Sequence, residues 1–314
     1  MTIRDALRDG TARLREAPEA AGLDTPHLDA MVLLAYCLGV EKEVLFREPE
    51  RELPPAVIES FRNTLERRVA GIPVSYIRRR KEFYGRDFYV DERVLVPRPD
   101  TETLIETALD LILPDPSIRR IHDCCTGAGT IAVTLKAEAT RRGRADLEVS
   151  ASDVSPEALE VAALNVRRIL GPAQEREERA TAGSGDSMLP LRHIDLLEGV
   201  EEQDLITANP PYVRHDEYRK LARAAWPEPA LALDGGADGL ELLRRLIPAA
   251  FESLRPYGYF LCEIGYDQGD AAQEIAWKNG FVSIRIVPDL GGRDRVLCAR
   301  RGGRDTPDTV VKNG

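Results

Sequence analysis

An apolar run leads into two consecutive prolines in Asp204-Leu205-Ile206-Thr207-Ala208-Asn209-Pro210-Pro211-Tyr212. A short apolar run is typical of a buried strand, and proline ends a strand because it has no backbone N–H. Asn209 and the Pro210 carbonyl are therefore expected at the carboxyl edge of a sheet, where open α/β sheets bind ligands. Both groups accept hydrogen bonds, so together they suit the –NH2 of an amide or a nucleobase. Tyr212 offers a flat apolar face on which such a planar group can stack.

Strands and helices alternate on both sides of this stretch, which predicts a mainly parallel sheet covered on both faces. The last two candidate strands lie too close together for a crossover helix, so we expect them to pair antiparallel. The candidate strands are residues 118–124, 147–153, 189–194, 204–208, 257–263, 281–287 and 295–300, and the helices lie near 129–140, 156–169, 240–254 and 268–279.

The front of the chain carries a helical pattern instead. After Pro54-Pro55, the apolar residues Val57, Ile58, Phe61 and Leu65 recur at helical spacing. The polar segment 171–187 predicts a mobile surface insertion. We therefore predict a helical domain over 1–75, a β-hairpin linker over 76–96, an α/β domain over 97–302 and a disordered tail over 303–314.

Composition limits the classes of function. The 314 residues are 43% hydrophobic and 31% charged, as in an ordinary globular protein, and their net charge of −10 disfavours an extended surface for nucleic acid. No apolar stretch approaches the length of a membrane span, and buried free thiols suit the reducing cytoplasm, where we expect the protein. The cysteines lack paired CxxC spacing and predict neither a zinc site nor disulfides. They are Cys37, Cys124, Cys125, Cys262 and Cys298.

A glycine-containing turn, Cys125-Thr126-Gly127-Ala128-Gly129, follows the first candidate strand of the α/β part. Glycines at this spacing let the backbone approach a nucleotide-type ligand. Asp153 ends the next candidate strand, where its carboxylate can accept both ribose hydroxyls or cap the helix after Ser155. Asp195 and Leu196 follow the third strand and can border an adenine, although Asp195 alone fits a cap or a solvated acid equally well.

No P-loop lysine follows these glycines, so a nucleoside triphosphate is disfavoured. His122 and His193 are expected to be structural, and no set of residues predicts a metal site. The pattern as a whole predicts a nucleoside pocket beside an –NH2 clamp. A methyl donor carried on adenosine would meet an amino acceptor there.

Over about residues 1–302 the chain resembles the HemK-type glutamine N5-methyltransferases, which modify peptide-chain release factors. The Asn-Pro-Pro-Tyr motif is shared with nucleobase amino-methyltransferases, whereas the front helices together with residues 97–102 are more specific. The resemblance rests on Pro97-Arg98-Pro99-Asp100-Thr101-Glu102, the glycine turn, Asp153, Asn209–Tyr212, Glu228-Pro229, Gly235-Gly236-Ala237-Asp238-Gly239 and Gly291-Gly292-Arg293-Asp294-Arg295.

The resemblance implies a Rossmann-like, seven-stranded class I methyltransferase with a mainly parallel sheet, an antiparallel last strand and a small helical front domain. It implies methyl transfer from S-adenosylmethionine, leaving S-adenosylhomocysteine, to the glutamine of a release factor's Gly-Gly-Gln segment, without metal, nucleic acid or membrane. Asn209 and Pro210 would be catalytic, and residues 209–212 would bind the glutamine. The cofactor would contact Cys125, Thr126, Gly127, Ala128, Gly129, Asp153, Leu196 and Asn209.

Two departures from the family pattern lie in the glycine turn. Cys125 stands where the family usually has glycine, and Ala128 stands where the family often has threonine. A β-carbon at residue 125 narrows the approach to the methionine moiety, which points to weaker cofactor binding.

Three alternatives stay open at this point: a glutamine methyltransferase of a ribosomal protein, a DNA amino-methyltransferase that flips its base into the clamp, and a non-catalytic binding module with this fold.

Overall fold

The computed structural model describes residues 1–18, 23–171, 189–223 and 227–303. Nearly all of the predicted insertion at 171–187 and of the predicted tail at 303–314 lies outside these residues. The described residues fall into two compact units, of which the first takes its residues from Met1–Arg80, Val90–Glu92 and Arg219–Glu228, and the second contains the rest. The predicted boundaries at residues 75, 96 and 302 stay a prediction.

The first unit is built from short helices packed around one apolar core. Ile3, Leu33 and Leu34 are completely buried in it. At the rim of this core, Arg68 Nε donates to Asp29 Oδ2 at 2.8 Å, and both side chains are nearly buried. The helices are α1 (Ile3–Arg15), α2 (Pro26–Leu38), α3 (Lys42–Arg47), α4 (Pro55–Val69) and α5 (Val74–Arg78).

The second unit opens with the predicted hairpin, whose strands are β1 (Lys81–Phe83) and β2 (Arg86–Phe88). Tyr84 and Gly85 connect the strands, and both have positive φ angles, of 51° and 69°. Two positive φ angles in a two-residue loop fit the right-handed twist of a hairpin.

A seven-stranded sheet forms the centre of the second unit, which confirms the predicted fold class. Its strand order is β5-β4-β3-β6-β7-β9-β8, and only β9 runs antiparallel to its neighbours. The strands are β3 (Arg120–Cys124), β4 (Glu148–Asp153), β5 (Leu191–His193), β6 (Gln203–Ala208), β7 (Leu254–Glu263), β8 (Phe281–Pro288) and β9 (Asp294–Arg301).

Helices bury both faces of this sheet. Ile121, Leu205 and Leu261 lie in one hydrophobic cluster, whereas Ile206 and Cys262 lie in another, as the alternation of side chains along a strand requires. A 3-10 turn at Pro99–Thr101 precedes the first helix, and another lies at Ala230–Ala232. The helices on the sheet are α6 (Glu102–Ile112), α7 (Thr130–Arg141), α8 (Pro156–Leu170), α10 (Glu241–Ser253) and α11 (Gly269–Lys278). A further helix, α9 (His215–Arg223), begins in this unit, and its residues from Arg219 onward are assigned to the first unit.

Candidate active site

A cavity of about 1150 Å³ opens within the second unit, at the carboxyl edge of the sheet where β3, β4 and β6 end. Parallel strands present this edge to ligands in open α/β folds. Three of the predicted residues, Gly129, Pro210 and Tyr212, are not among the residues that line it. The predicted residues that do line it are Cys125, Thr126, Gly127, Ala128, Asp153, Asp195, Leu196, Asn209 and Pro211.

The glycine turn connects β3 to α7 and forms one wall of the cavity. Gly127 has φ 54°, and a β-carbon built there would meet no atom within 4 Å. The turn is therefore open to the cavity at Gly127. Gly129 has φ 77°, and its β-carbon would lie 3.3 Å from Ala162 Cβ on α8. Gly129 therefore serves the packing of the turn against a helix.

Cys125 occupies the same turn with φ 58°, in the left-handed region that glycine adopts without steric cost. Its thiol lies 3.8 Å from that of Cys124. The hydrogen bond with Cys124 and burial raise the pKa of the Cys125 thiol well above its ordinary value, so the thiol is neutral. The wall of the cavity thus carries an uncharged thiol, on a residue whose backbone is strained.

Replacing Cys125 by glycine is expected to tighten binding of S-adenosylhomocysteine severalfold. The substitution removes the side chain that narrows the wall of the cavity, which is the expected cause of tighter binding. It also relieves a left-handed conformation that costs about 1–2 kcal/mol for other residues, which stabilises the free and the bound protein alike. Isothermal titration calorimetry of the wild type and Cys125→Gly measures the change. Weaker binding by the variant would show that the thiol contributes a favourable contact.

Asp153 fixes the glycine turn to the end of β4. Its Oδ2 accepts from the Gly127 N–H at 2.8 Å, and its Oδ1 accepts from the Ser155 N–H at 2.9 Å. Burial raises the pKa of its carboxyl group. The cap of α8 is Ser155, whose hydroxyl accepts from the Ala158 N–H, so Asp153 is not that cap. Each carboxylate oxygen keeps a lone pair for a ligand hydroxyl.

Asp123 lies beneath the same turn and is completely buried. Its two oxygens accept hydrogen bonds from the hydroxyls of Thr126, at 2.6 Å, and Thr207, at 2.8 Å. Burial raises the pKa of this carboxyl to about 7, against the opposing effect of the two threonines. The sequence analysis did not single out this residue, which joins the ends of β3 and β6.

The raised pKa of Asp123 predicts a pH-dependent stability. The folded protein holds this proton more tightly than the unfolded chain, in which the carboxyl titrates near 3.8, so its stabilising contribution is lost as the pH rises from about 4 to about 7. Between these limits we expect the free energy of unfolding to fall by about 1.4 kcal/mol per pH unit relative to Asp123→Asn. Urea titrations of both proteins over this range measure the difference, and parallel curves would contradict the assignment.

Asn209 stands at the end of β6 and lines the cavity. Its Nδ2 donates to Thr101 Oγ1 in a weak hydrogen bond of 3.4 Å. Because the amide nitrogen is directed to Thr101, the amide oxygen is the group of Asn209 that remains for a ligand N–H. Thr101, from the segment that carries the resemblance, also lines the cavity.

Tyr212 is held behind the cavity. Its hydroxyl donates to Glu263 Oε1 at 3.1 Å, and burial raises the pKa of that hydroxyl. The ring is not among the lining residues, although the sequence predicted a stacking face there. Its observed contact fixes the loop after β6 to the end of β7.

Gln268 and a glycine loop, neither of which was predicted as part of the site, hold the backbone of this loop. Gln268 is buried, and its Nε2 donates to the carbonyls of Tyr212, at 3.0 Å, and Gly239, at 3.2 Å. A β-carbon at Gly235 would lie 2.8 Å from Tyr212 Cα, too close for any other residue. The glycine run at 235–239 was the sequence signal for this contact.

Two pairs of polar side chains also line the cavity. Asp195 accepts from Arg245 Nη2 at 2.5 Å, and the His215 ring lies 2.7 Å from Asp234 Oδ2.

Within the described ranges, no group of three or more His, Cys, Asp and Glu residues is arranged to hold a metal ion. The described helices also include none that is long and apolar enough to cross a membrane.

The chain is similar to known proteins both in sequence and in fold. Residues 5–78 match the family model described as the PrmC N-terminal domain. The solved hMettl16 catalytic domain in complex with the MAT2A 3′UTR hairpin 1 is 18% identical, with a TM-score of 0.50 over 72% of this chain and 77% of that chain. That likeness shows the fold alone.

Two relatives match almost end to end, and both are named release factor glutamine methyltransferase. The protein from Moorella thermoacetica is 40% identical over 96% of this chain and 99% of its own length. The protein from Koribacter versatilis is 38% identical over 96% of this chain and 99% of its own length. With its seven-stranded sheet and this identity over nearly its full length, the chain belongs to the release factor glutamine methyltransferase family.

Proposed function

We propose that this protein transfers a methyl group from S-adenosylmethionine to the side-chain amide nitrogen of the glutamine in a release factor's Gly-Gly-Gln segment. The relatives named for this activity support the proposal. The observation that carries it is the position of Asn209, whose amide oxygen is left for a ligand N–H in the cavity that the glycine turn also lines.

The residues around the cavity suit S-adenosylmethionine. The turn is open at Gly127, where the backbone can approach a ligand without obstruction. Asp153 keeps a lone pair on each oxygen for ribose hydroxyls, and Leu196 supplies an apolar wall for the adenine. When bound, this cofactor supplies an electrophilic methyl group on a positively charged sulfur.

The protein's own contribution is to hold and orient the glutamine. An amide nitrogen is a poor nucleophile because its lone pair is delocalised into the carbonyl. Acceptors that bind its N–H groups favour the positive charge that develops as the N–C bond forms, before one proton leaves the nitrogen. Asn209 supplies one acceptor from a fixed position, and we propose that the Pro210 carbonyl supplies the other.

Transfer of labelled methyl groups tests the proposal. The protein is incubated with labelled S-adenosylmethionine and, separately, with a release factor, ribosomal proteins and DNA. We expect label on the release factor only, and none on a release factor whose Gly-Gly-Gln glutamine is replaced by alanine. Label on ribosomal protein or DNA would favour the corresponding alternative.

A second measurement separates the enzyme from a non-catalytic module with the same fold. Calorimetry with S-adenosylmethionine is expected to show binding by the wild type. Absence of binding at millimolar ligand would favour the non-catalytic module.

A release factor as substrate is consistent with the expected cytoplasmic location.

A further inference from the structure

Three polar side chains lie together on one face of the sheet, on the adjacent parallel strands β3 and β4. His122 is 1% exposed and pairs in register with Ser150. Its Nδ1 lies 2.8 Å from Ser150 Oγ, and its Nε2 lies 2.9 Å from Ser152 Oγ. Ser152 is completely buried. The sequence analysis assigned His122 a structural role without naming these partners.

The Ser150 hydroxyl has two acceptors within reach, His122 Nδ1 at 2.8 Å and the Ile121 carbonyl at 3.4 Å, and we take the shorter contact to set the direction of these hydrogen bonds. Ser152 Oγ donates its only proton to the Leu196 carbonyl at 3.0 Å, so it must accept from an N–H on His122 Nε2. Nδ1 of the neutral ring then accepts from Ser150. Burial lowers the pKa of His122 to about 4, which keeps the ring neutral at physiological pH. The chain therefore runs from Ser150 through His122 and Ser152 to the Leu196 carbonyl.

Leu196 is a position that needs such a restraint. It has φ 51°, which is strained for a residue with a branched side chain, and it lines the cavity. In the segment between β5 and β6 the carbonyls of Asp195 and Leu197 accept from the N–H groups of Glu198 and Val200, whereas the Leu196 carbonyl accepts from the Ser152 hydroxyl. Arg192, on β5, supplies the partner of another carbonyl in this segment, since its Nη1 donates to the Gly199 carbonyl at 3.0 Å.

We infer that Ser152, oriented by His122, is a positioning residue for the cofactor, because it fixes the left-handed turn at Leu196 that forms the nucleoside wall of the cavity. The inference rests on the proposed function, in which Leu196 borders the adenine. Without the Ser152 hydroxyl the Leu196 carbonyl loses its buried partner, and the residue is free to relax into an unstrained conformation. The wall then moves while the loop that holds the glutamine keeps its place.

The matched pair Ser152→Ala and Ser150→Ala tests this role. Both substitutions remove a hydroxyl that bonds to His122, but only Ser152 bonds to Leu196. We expect Ser152→Ala to raise both the KM for S-adenosylmethionine and the Kd for S-adenosylhomocysteine about tenfold, with kcat within about twofold of the wild type. Ser150→Ala is expected to leave both constants within about twofold. A merely structural role would lower Tm in both variants and move neither constant.

A second pair keeps the test decisive if Ser152→Ala does not fold. Ser152→Thr and Ser152→Val have the same shape and differ only in the hydroxyl, so we expect the threonine variant to bind S-adenosylhomocysteine about tenfold more tightly than the valine variant. Equal binding within each pair overturns this inference alone. A wild type that binds no S-adenosylhomocysteine overturns the proposed function and this inference together.

Discussion

Asn209→Ala is expected to lower kcat for methylation of a release factor by about 10²–10³-fold, the usual effect of removing one preorganised hydrogen-bonding group that stabilises developing charge. The amide oxygen of Asn209 is the acceptor that the structure leaves for a ligand N–H at the end of β6. Without it, the glutamine nitrogen loses its orientation and part of the stabilisation of its positive charge. Initial rates with labelled cofactor at saturating release factor measure the effect.

Binding of S-adenosylhomocysteine provides the control for this variant. We expect its Kd to change by less than about threefold, because in the proposed function most of the nucleoside contacts come from other lining residues, namely the glycine turn, Asp153 and Leu196. Asn209→Asp is a useful companion, since it keeps an acceptor while it replaces the donor to Thr101 by a carboxylate oxygen and adds a negative charge. Full activity in Asn209→Ala would refute the role proposed for this residue.

Gly239→Ala is expected to lower kcat by at least about 10²-fold, through the backbone of the Asn-Pro-Pro-Tyr loop. A β-carbon at Gly239 would overlap the Tyr212 carbonyl oxygen and lie 2.6 Å from Gln268 Nε2. The loop must then shift, and the hydrogen bond from Gln268 to Tyr212 must lengthen. If this loop binds the glutamine, as proposed, a displacement on this scale removes the alignment on which methyl transfer depends.

Gly292→Ala is the matched control, because Gly292 has the same φ of 76° but no atom within 4 Å of the built β-carbon. Both variants carry the conformational strain of alanine at positive φ, and only Gly239→Ala also carries the overlap. Steady-state kinetics and thermal unfolding of the two proteins separate these effects. Similar losses of activity in both would show that strain, and not the contact with Tyr212, is responsible.

Local sequence signals predicted the elements of the α/β fold well. Alternating apolar runs gave all seven strands of the sheet to within a few residues at each end, as well as α7, α8, α10 and α11. Pro210-Pro211 ended β6 at the edge that opens into the cavity. The positive φ angles of Gly127 and Gly129 match the turn that their spacing predicted. These features depend on backbone preferences of neighbouring residues, which the sequence displays directly.

Tyr212 shows where local signals become insufficient. From sequence, the flat apolar face of its ring was expected to stack on a planar substrate group, and this role stays a prediction. In the structure its hydroxyl binds Glu263, 51 residues further along the chain. Gln268, which holds the Tyr212 carbonyl, carries no motif of its own.

The sequence by itself thus determined the class of fold, the strand that ends just before Asn209, and the glycine turn that follows β3. Only the tertiary structure decided which predicted residues line the cavity and which contacts hold the site: Thr101 binds Asn209, Ser152 binds Leu196, and Gln268 holds Tyr212 behind the lining residues. The physical reason is the distance along the chain over which each interaction acts. Strand period, proline and glycine act over a few bonds of the backbone, whereas a hydrogen bond between side chains tens of residues apart exists only once the sheet has set their distance.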